Sequence, residues 1–158
     1  MGGLTPDAPD PALTRLFAMA YRDLIDDLHE RLAARGWHDV RPSFGFALLA
    51  ARSGPVQASA LAGLLGVSKQ AASKLVDAMV DGGYLVRDDG AADRRQRPVS
   101  LTARGRDLLA TVEEIYRDLE ADWAHLVGTE AVEQLRDTLV AVLTARHGGA
   151  LPPVRSLR

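Results

Sequence analysis

Long apolar stripes at helical spacing stand at both ends of this chain, and two short helical segments joined by Gly66-Val67-Ser68 occupy its middle. Two short β-prone runs flank a polar loop just after them. Together these features predict a mainly α (α+β) fold, a winged helix-turn-helix unit carried between long terminal helices.

Residues 1–9 are rich in Gly, Pro and Asp without periodicity and read as a disordered lead. Asp10-Pro11 predicts a helix start, an acid at the N-cap with proline at the first helical position. Leu13, Leu16, Phe17, Ala20, Tyr21, Leu24, Leu28 and Leu32 then recur at three- and four-residue steps, an amphipathic helix ending at Gly36. Residues 10–42 are thus an N-terminal helix and its loop. A short apolar helix from Ser43 to Arg52 is stopped by Gly54-Pro55. Helices at Ala58 to Leu65 and Lys69 to Asp81 follow, the second ended by Gly82-Gly83.

Tyr84 to Arg87 and Val99 to Leu101 read as the strands of a hairpin, with Asp88 to Arg97 as its long tip. Thr102 caps a long helix striped by Leu108, Val112, Tyr116, Leu119, Trp123 and Leu126. Gly128-Thr129 breaks it, and Val132, Leu135, Leu139 and Leu143 mark a last helix to about His147. Residues 43–103 form the winged unit, 104–147 a C-terminal helical pair, and 148–158, with two glycines and two prolines, a flexible tail. One small winged unit cannot cover all the apolar surface of the terminal helices. Residues 10–42 and 104–147 are therefore expected to close a twofold homodimer, the alternative being that they pack only within one chain.

Composition narrows the functions. The chain has 158 residues, 47% hydrophobic and 25% charged, the balance of a globular domain. No apolar run reaches the ~18 residues of a membrane span and no secretory leader is visible, so a cytoplasmic location without membrane partners is expected. Cysteine is absent, which excludes disulfides, thiolate metal sites and thiol redox sensing. His29, His38, His125 and His147 lack metal-ligand spacing, so no metal and no cofactor is expected. The net charge of −2 hides an asymmetry: Ser68 to Arg106 holds eight Lys or Arg, including both lysines, against five Asp. A basic patch on an acidic body suits docking on phosphates.

The segment Leu61 to Leu75 carries the most specific pattern. A helix-turn-helix needs a small residue where its helices cross, a glycine at the turn, and apolar residues that lock the two helices together. Ala62 and Gly66 supply the first two, and Leu61, Leu65, Val67, Ala72 and Leu75 the third. In the second helix Ala72, Leu75, Val76 and Met79 should point inward. Lys69, Gln70, Ser73 and Lys74 should form the exposed face that meets base edges and phosphates of double-stranded DNA. Ser68 suits the N-cap, leaving backbone N–H groups for a phosphate.

In the tip, Arg94, Arg95 and Arg97 fall within four residues on a projecting ribbon that can reach the minor groove. Asp93, two residues before Arg95, can orient a guanidinium.

At these residues a family resemblance enters. Gly54-Pro55, Leu61-Ala62, Leu65-Gly66-Val67-Ser68, Leu75-Val76, Gly83-Tyr84-Leu85-Val86, Asp93-Arg94-Arg95 and Leu101-Thr102-x-x-Gly105 resemble the multiple-antibiotic-resistance regulator (MarR) family. The resemblance implies an obligate homodimer through the first and last two helices, with recognition helices in successive major grooves and wing arginines in flanking minor grooves. It makes Arg95 the minor-groove residue and Asp93 its structural organiser. Three departures stand out. Gln57 replaces the usual hydroxyl N-cap, Ala72 replaces a branched residue, and Pro98 enters the second wing strand, which suits only an edge.

The expected function is a sequence-specific DNA-binding transcription regulator, a repressor acting as a homodimer on a pseudo-palindromic operator. A small aromatic ligand would act from a cleft drawing on Trp37, Phe44, Phe46 and Tyr116, residues that could equally be plain core. An architectural DNA binder without an operator is the rival. No catalytic constellation is visible, so no enzyme is expected.

Overall fold

The computed structural model describes residues 10–88 and 97–152. Its elements run α1 (Leu13–Ala34), α2 (Pro42–Ala51), α3 (Ala58–Leu65), α4 (Lys69–Asp81), β1 (Leu85–Arg87), β2 (Val99–Leu101), α5 (Ala103–Val127) and α6 (Thr129–Arg146). The predicted order stands, a mainly helical chain with one small antiparallel sheet.

The two capping signals at the starts of the long helices fare differently. Asp10 does not cap α1; Ala12 is the N-cap and no side chain bonds to it. Thr102 does cap α5, its Oγ1 accepting from the Gly105 N–H at 3.0 Å. A hydroxyl three residues before the N–H it meets closes this turn, whereas Asp10 lies outside the first turn altogether.

β1 and β2 pair with Leu85 opposite Leu101 and Arg87 opposite Val99. A third segment completes the sheet. Val56, just before α3, bridges Val99 through N–H to O distances of 3.0 and 2.9 Å. β2 is therefore the central line at Val99, which corrects its expected edge position. Pro98 is tolerated because it stands one residue before the strand, where only its carbonyl is used, accepting from the Asp88 N–H at 2.9 Å.

The core lies where α2, α4 and the sheet meet the C-terminal part of α1 and the first two thirds of α5. Leu32, Leu48, Leu61, Met79, Leu108 and Ile115 are fully buried in it. On the outer side α1 and α5 are joined by ion pairs, Arg31 to Asp122 at 2.5 Å and Arg35 to Glu114 and Asp118 at 3.2 and 3.0 Å. The hydrogen bond to Asp122 raises the Arg31 pKa despite its exposure. α6 is different in kind, for none of its residues is buried. Leu135, Val140, Val142 and Leu143 are exposed on it, and Leu13, Leu16 and Phe17 on α1. Among the described residues no helix is long and apolar enough to cross a membrane.

Candidate nucleic-acid interface

α3 and α4 meet across a turn fixed by Gly66, whose φ of +66° places it in the left-handed region that glycine enters without a Cβ penalty. The Val67 N–H then donates to the Ala62 carbonyl at 3.1 Å. Ser68 takes the N-cap of α4, its Oγ accepting from the Ala71 N–H at 3.1 Å. Leu61, Ala62, Leu65 and Ala72 are buried at the crossing and Leu75 packs at its margin. Val67 departs from expectation. It is 42% exposed, because the left-handed glycine swings the next residue outward.

The exposed face of α4 is as read from the sequence, with Lys69, Gln70 and Lys74 exposed and Ser73 half-buried. These four line a groove of about 900 Å³ together with Gln57, Ala58, Ser59 and Asp77. Gln57, Ser59 and Asp77 were missed by sequence reasoning. The missing hydroxyl cap was the signal for Gln57, which has no cap hydrogen bond and instead accepts from Ser59 Oγ at 3.4 Å. Asp77 could not be foreseen, since its role depends on a tertiary pairing with Arg87 of β1. Among the described residues, that pairing offsets the one acidic charge lining the groove and leaves Lys69 and Lys74 to set its sign.

The wing is anchored at its base. Thr102 Oγ1 donates to the Gly83 carbonyl at 2.6 Å, and the Thr102 N–H donates to the Tyr84 carbonyl at 3.1 Å. Ser100 Oγ donates to Asp88 at 3.1 Å across the two strands. Arg97 stands just before β2, whereas Asp93, Arg94 and Arg95 lie outside the described residues.

The four aromatic residues named for a ligand cleft part company. Phe46 and Tyr116 line a cleft of about 200 Å³ between α1, α2 and α5, with Tyr21, His29, Arg41 and Glu113. His29 Nε2 is buried there and has no hydrogen-bond partner among the described residues. Burial raises the Tyr116 pKa, and Tyr21 and Glu113 add to the shift. Trp37 and Phe44 do not line this cleft. Both pack on Tyr84, with ring centroids 6.2 and 5.7 Å away.

Comparison with known proteins agrees with this geometry. The family model described as the MarR family matches residues 46–96, which hold the helix-turn-helix and the first wing strand. RV1404 from Mycobacterium tuberculosis is 27% identical, with 90% of this chain and 95% of that one covered at a TM-score of 0.68. The transcriptional regulator BldR from Sulfolobus solfataricus is also 27% identical, covering 84% and 93% at 0.62. A mutant of MepR from Staphylococcus aureus, solved bound to an oligodeoxyribonucleotide, shares the fold at 19% identity, covering 86% and 99% at 0.59. With that family model on its helix-turn-helix and the same fold along nearly its whole length, the chain is similar to the winged-helix transcription regulators of the MarR family.

Proposed function

We propose that this protein is a homodimeric, sequence-specific DNA-binding repressor that responds to a small molecule. One observation carries the DNA-binding part: the exposed first turns of α4 present Lys69, Gln70, Ser73 and Lys74 in one groove, with Ser68 capping the helix. This set combines bidentate amide, hydroxyl and ammonium groups where a recognition helix meets base edges and phosphates. MepR, bound to an oligodeoxyribonucleotide, lends the same fold a DNA-bound precedent. The family resemblance adds Arg94, Arg95 and Arg97 as wing contacts to the minor groove, with Asp93 orienting Arg95.

The dimer reading rests on α6, none of whose residues is fully buried within the chain. An apolar groove of about 640 Å³ runs between α1, α5 and α6, lined by Leu24, Trp123, Leu135, Leu139 and Leu143 among others. A second copy related by a twofold axis covers such a face with the same face. The ligand reading rests on the cleft holding Phe46, Tyr116 and the unpartnered His29 Nε2. A planar aromatic acid or phenol offers that nitrogen a hydrogen-bonding group and the apolar wall a ring.

Selection of bound sequences from a random duplex pool is the decisive experiment. A regulator returns a pseudo-palindrome with half-sites one helical turn apart, preferred by ~10³ or more over scrambled duplex. A flat affinity across sequences points to an architectural binder instead.

Two substitutions separate the elements. Gln70→Ala should cost roughly 1–3 kcal/mol per half-site on the selected site and relax preference at one position. Arg95→Ala should weaken selected and scrambled duplex alike and lower the salt slope by about one unit per chain. Titrations of both duplexes at several salt concentrations read the two effects. Unchanged slopes and affinities for Arg95→Ala would show a solvated tip.

A further inference from the structure

Arg104 counts, by sequence, among the basic residues of the DNA-binding segment. Its surroundings suggest another use. It is the second residue of α5, and its guanidinium carbon lies 4.9 Å from the centre of the Trp37 ring and 5.0 Å from that of Tyr84. One guanidinium nitrogen donates to the Tyr84 hydroxyl at 3.4 Å. The two rings are 6.2 Å apart and tilted by 40°, so one cation serves both. Phe44 meets Tyr84 edge-on at 5.7 Å, bracing that ring from α2.

The three residues of this stack belong to three different parts of the fold. Trp37 closes α1, its N–H donating to the Leu32 carbonyl at 2.9 Å. Tyr84 precedes β1 and is the residue to which the Thr102 backbone is tied. Arg104 sits at the start of α5, two residues beyond that tie. A guanidinium suits the place because it is planar, permanently charged and attracted to aromatic faces.

We infer that Arg104 is a positioning residue for DNA binding: laid against both Trp37 and Tyr84, it ties the base of the wing to the end of α1. The inference rests on the DNA-binding reading above. It adds that affinity for DNA depends on a residue of the α1–α2 loop far along the chain from α4 and the wing.

The test uses the full-length protein and a fluorescently labelled duplex carrying its selected site. Arg104→Ala and Trp37→Leu should each lower affinity by about three-fold, the scale of one cation–π contact. The double variant should be no weaker than either single one, and the salt slope should stay that of the wild type. Trp37→Phe, which keeps a ring, should restore most of the loss. Circular dichroism at the assay temperature confirms that each variant is folded.

A slope lowered by about one unit per chain in Arg104→Ala, with Trp37→Leu binding normally, overturns the inference in favour of a direct phosphate contact. Additive losses in the double variant overturn it too, since the two residues would then act separately. A second readout needs no DNA. With Trp123→Phe as background, Trp37 is the sole indole, and Arg104→Ala should shift its emission. An unchanged spectrum overturns the stack itself. A wild-type protein that binds no duplex, with the emission shift still seen on adding Arg104→Ala to the Trp123→Phe background, overturns the DNA-binding reading and leaves the stack standing.

Discussion

Gly105→Ala should lower the melting temperature by about 10 °C, the scale of a ~3 kcal/mol loss in a domain of this size. A Cβ at residue 105 would stand 2.1 Å from the Tyr84 carbonyl oxygen, far inside van der Waals contact. That oxygen cannot step aside, because it accepts the Thr102 N–H at 3.1 Å. Thr102 in turn caps α5 through the Gly105 N–H at 3.0 Å, so the methyl group strikes the joint between wing and helix. Gly63→Ala is the matched control. It lies in α3 with nothing within 4 Å of the added carbon and should raise stability by about 0.5–1 kcal/mol. Thermal unfolding of both variants decides the matter. If Gly105→Ala melts with the wild type, the wing base is looser than the close approach implies.

The second large effect concerns assembly. Leu135→Glu combined with Leu139→Glu should convert a species of twice the 17.0 kDa chain mass into one of that mass. Both residues line the apolar groove beside α5, and no residue of α6 is buried within the chain, so the charges spare the fold. Across a twofold axis the same groups would face their own copies, placing four carboxylates in one apolar seam. Light scattering reads the mass. Tight DNA binding should fall by ~10³, because two linked recognition helices gain that order of advantage from effective concentration. A double variant that stays at twice the chain mass would place the interface elsewhere.

Much of this was legible in the sequence because the winged unit is built from local rules. The turn glycine Gly66, the caps Ser68 and Thr102, and the apolar spacing of α3 and α4 each act within a few residues. They fixed the helix limits almost to the residue. What the sequence hid depends on distant partners. Val56 carries no strand pattern of its own and becomes part of the sheet only against Val99. Asp77 reads as one more surface acid until Arg87 is brought to it. Trp37 and Phe44 resemble cleft aromatics by type, yet Tyr84 claims both, and nothing local distinguishes them from Phe46 and Tyr116. Asp10 failed for the opposite reason. A capping signal was present, but the helix begins too late to use it.

The bridge between Val56 and Val99 has a mechanical meaning for recognition. It staples the chain on both sides of α3, α4 and the hairpin, so those elements sit inside a closed noose rather than on a string. Bending between α4 and the base of the hairpin would strain both hydrogen bonds at the neck of that noose. On the proposed DNA-binding reading, the elements inside the noose would therefore move as a unit. In the proposed dimer the separation between the two heads would be set outside the noose, by α1, α5 and α6, and the proposed effector would detune the protein by changing the span of its calipers rather than the head itself.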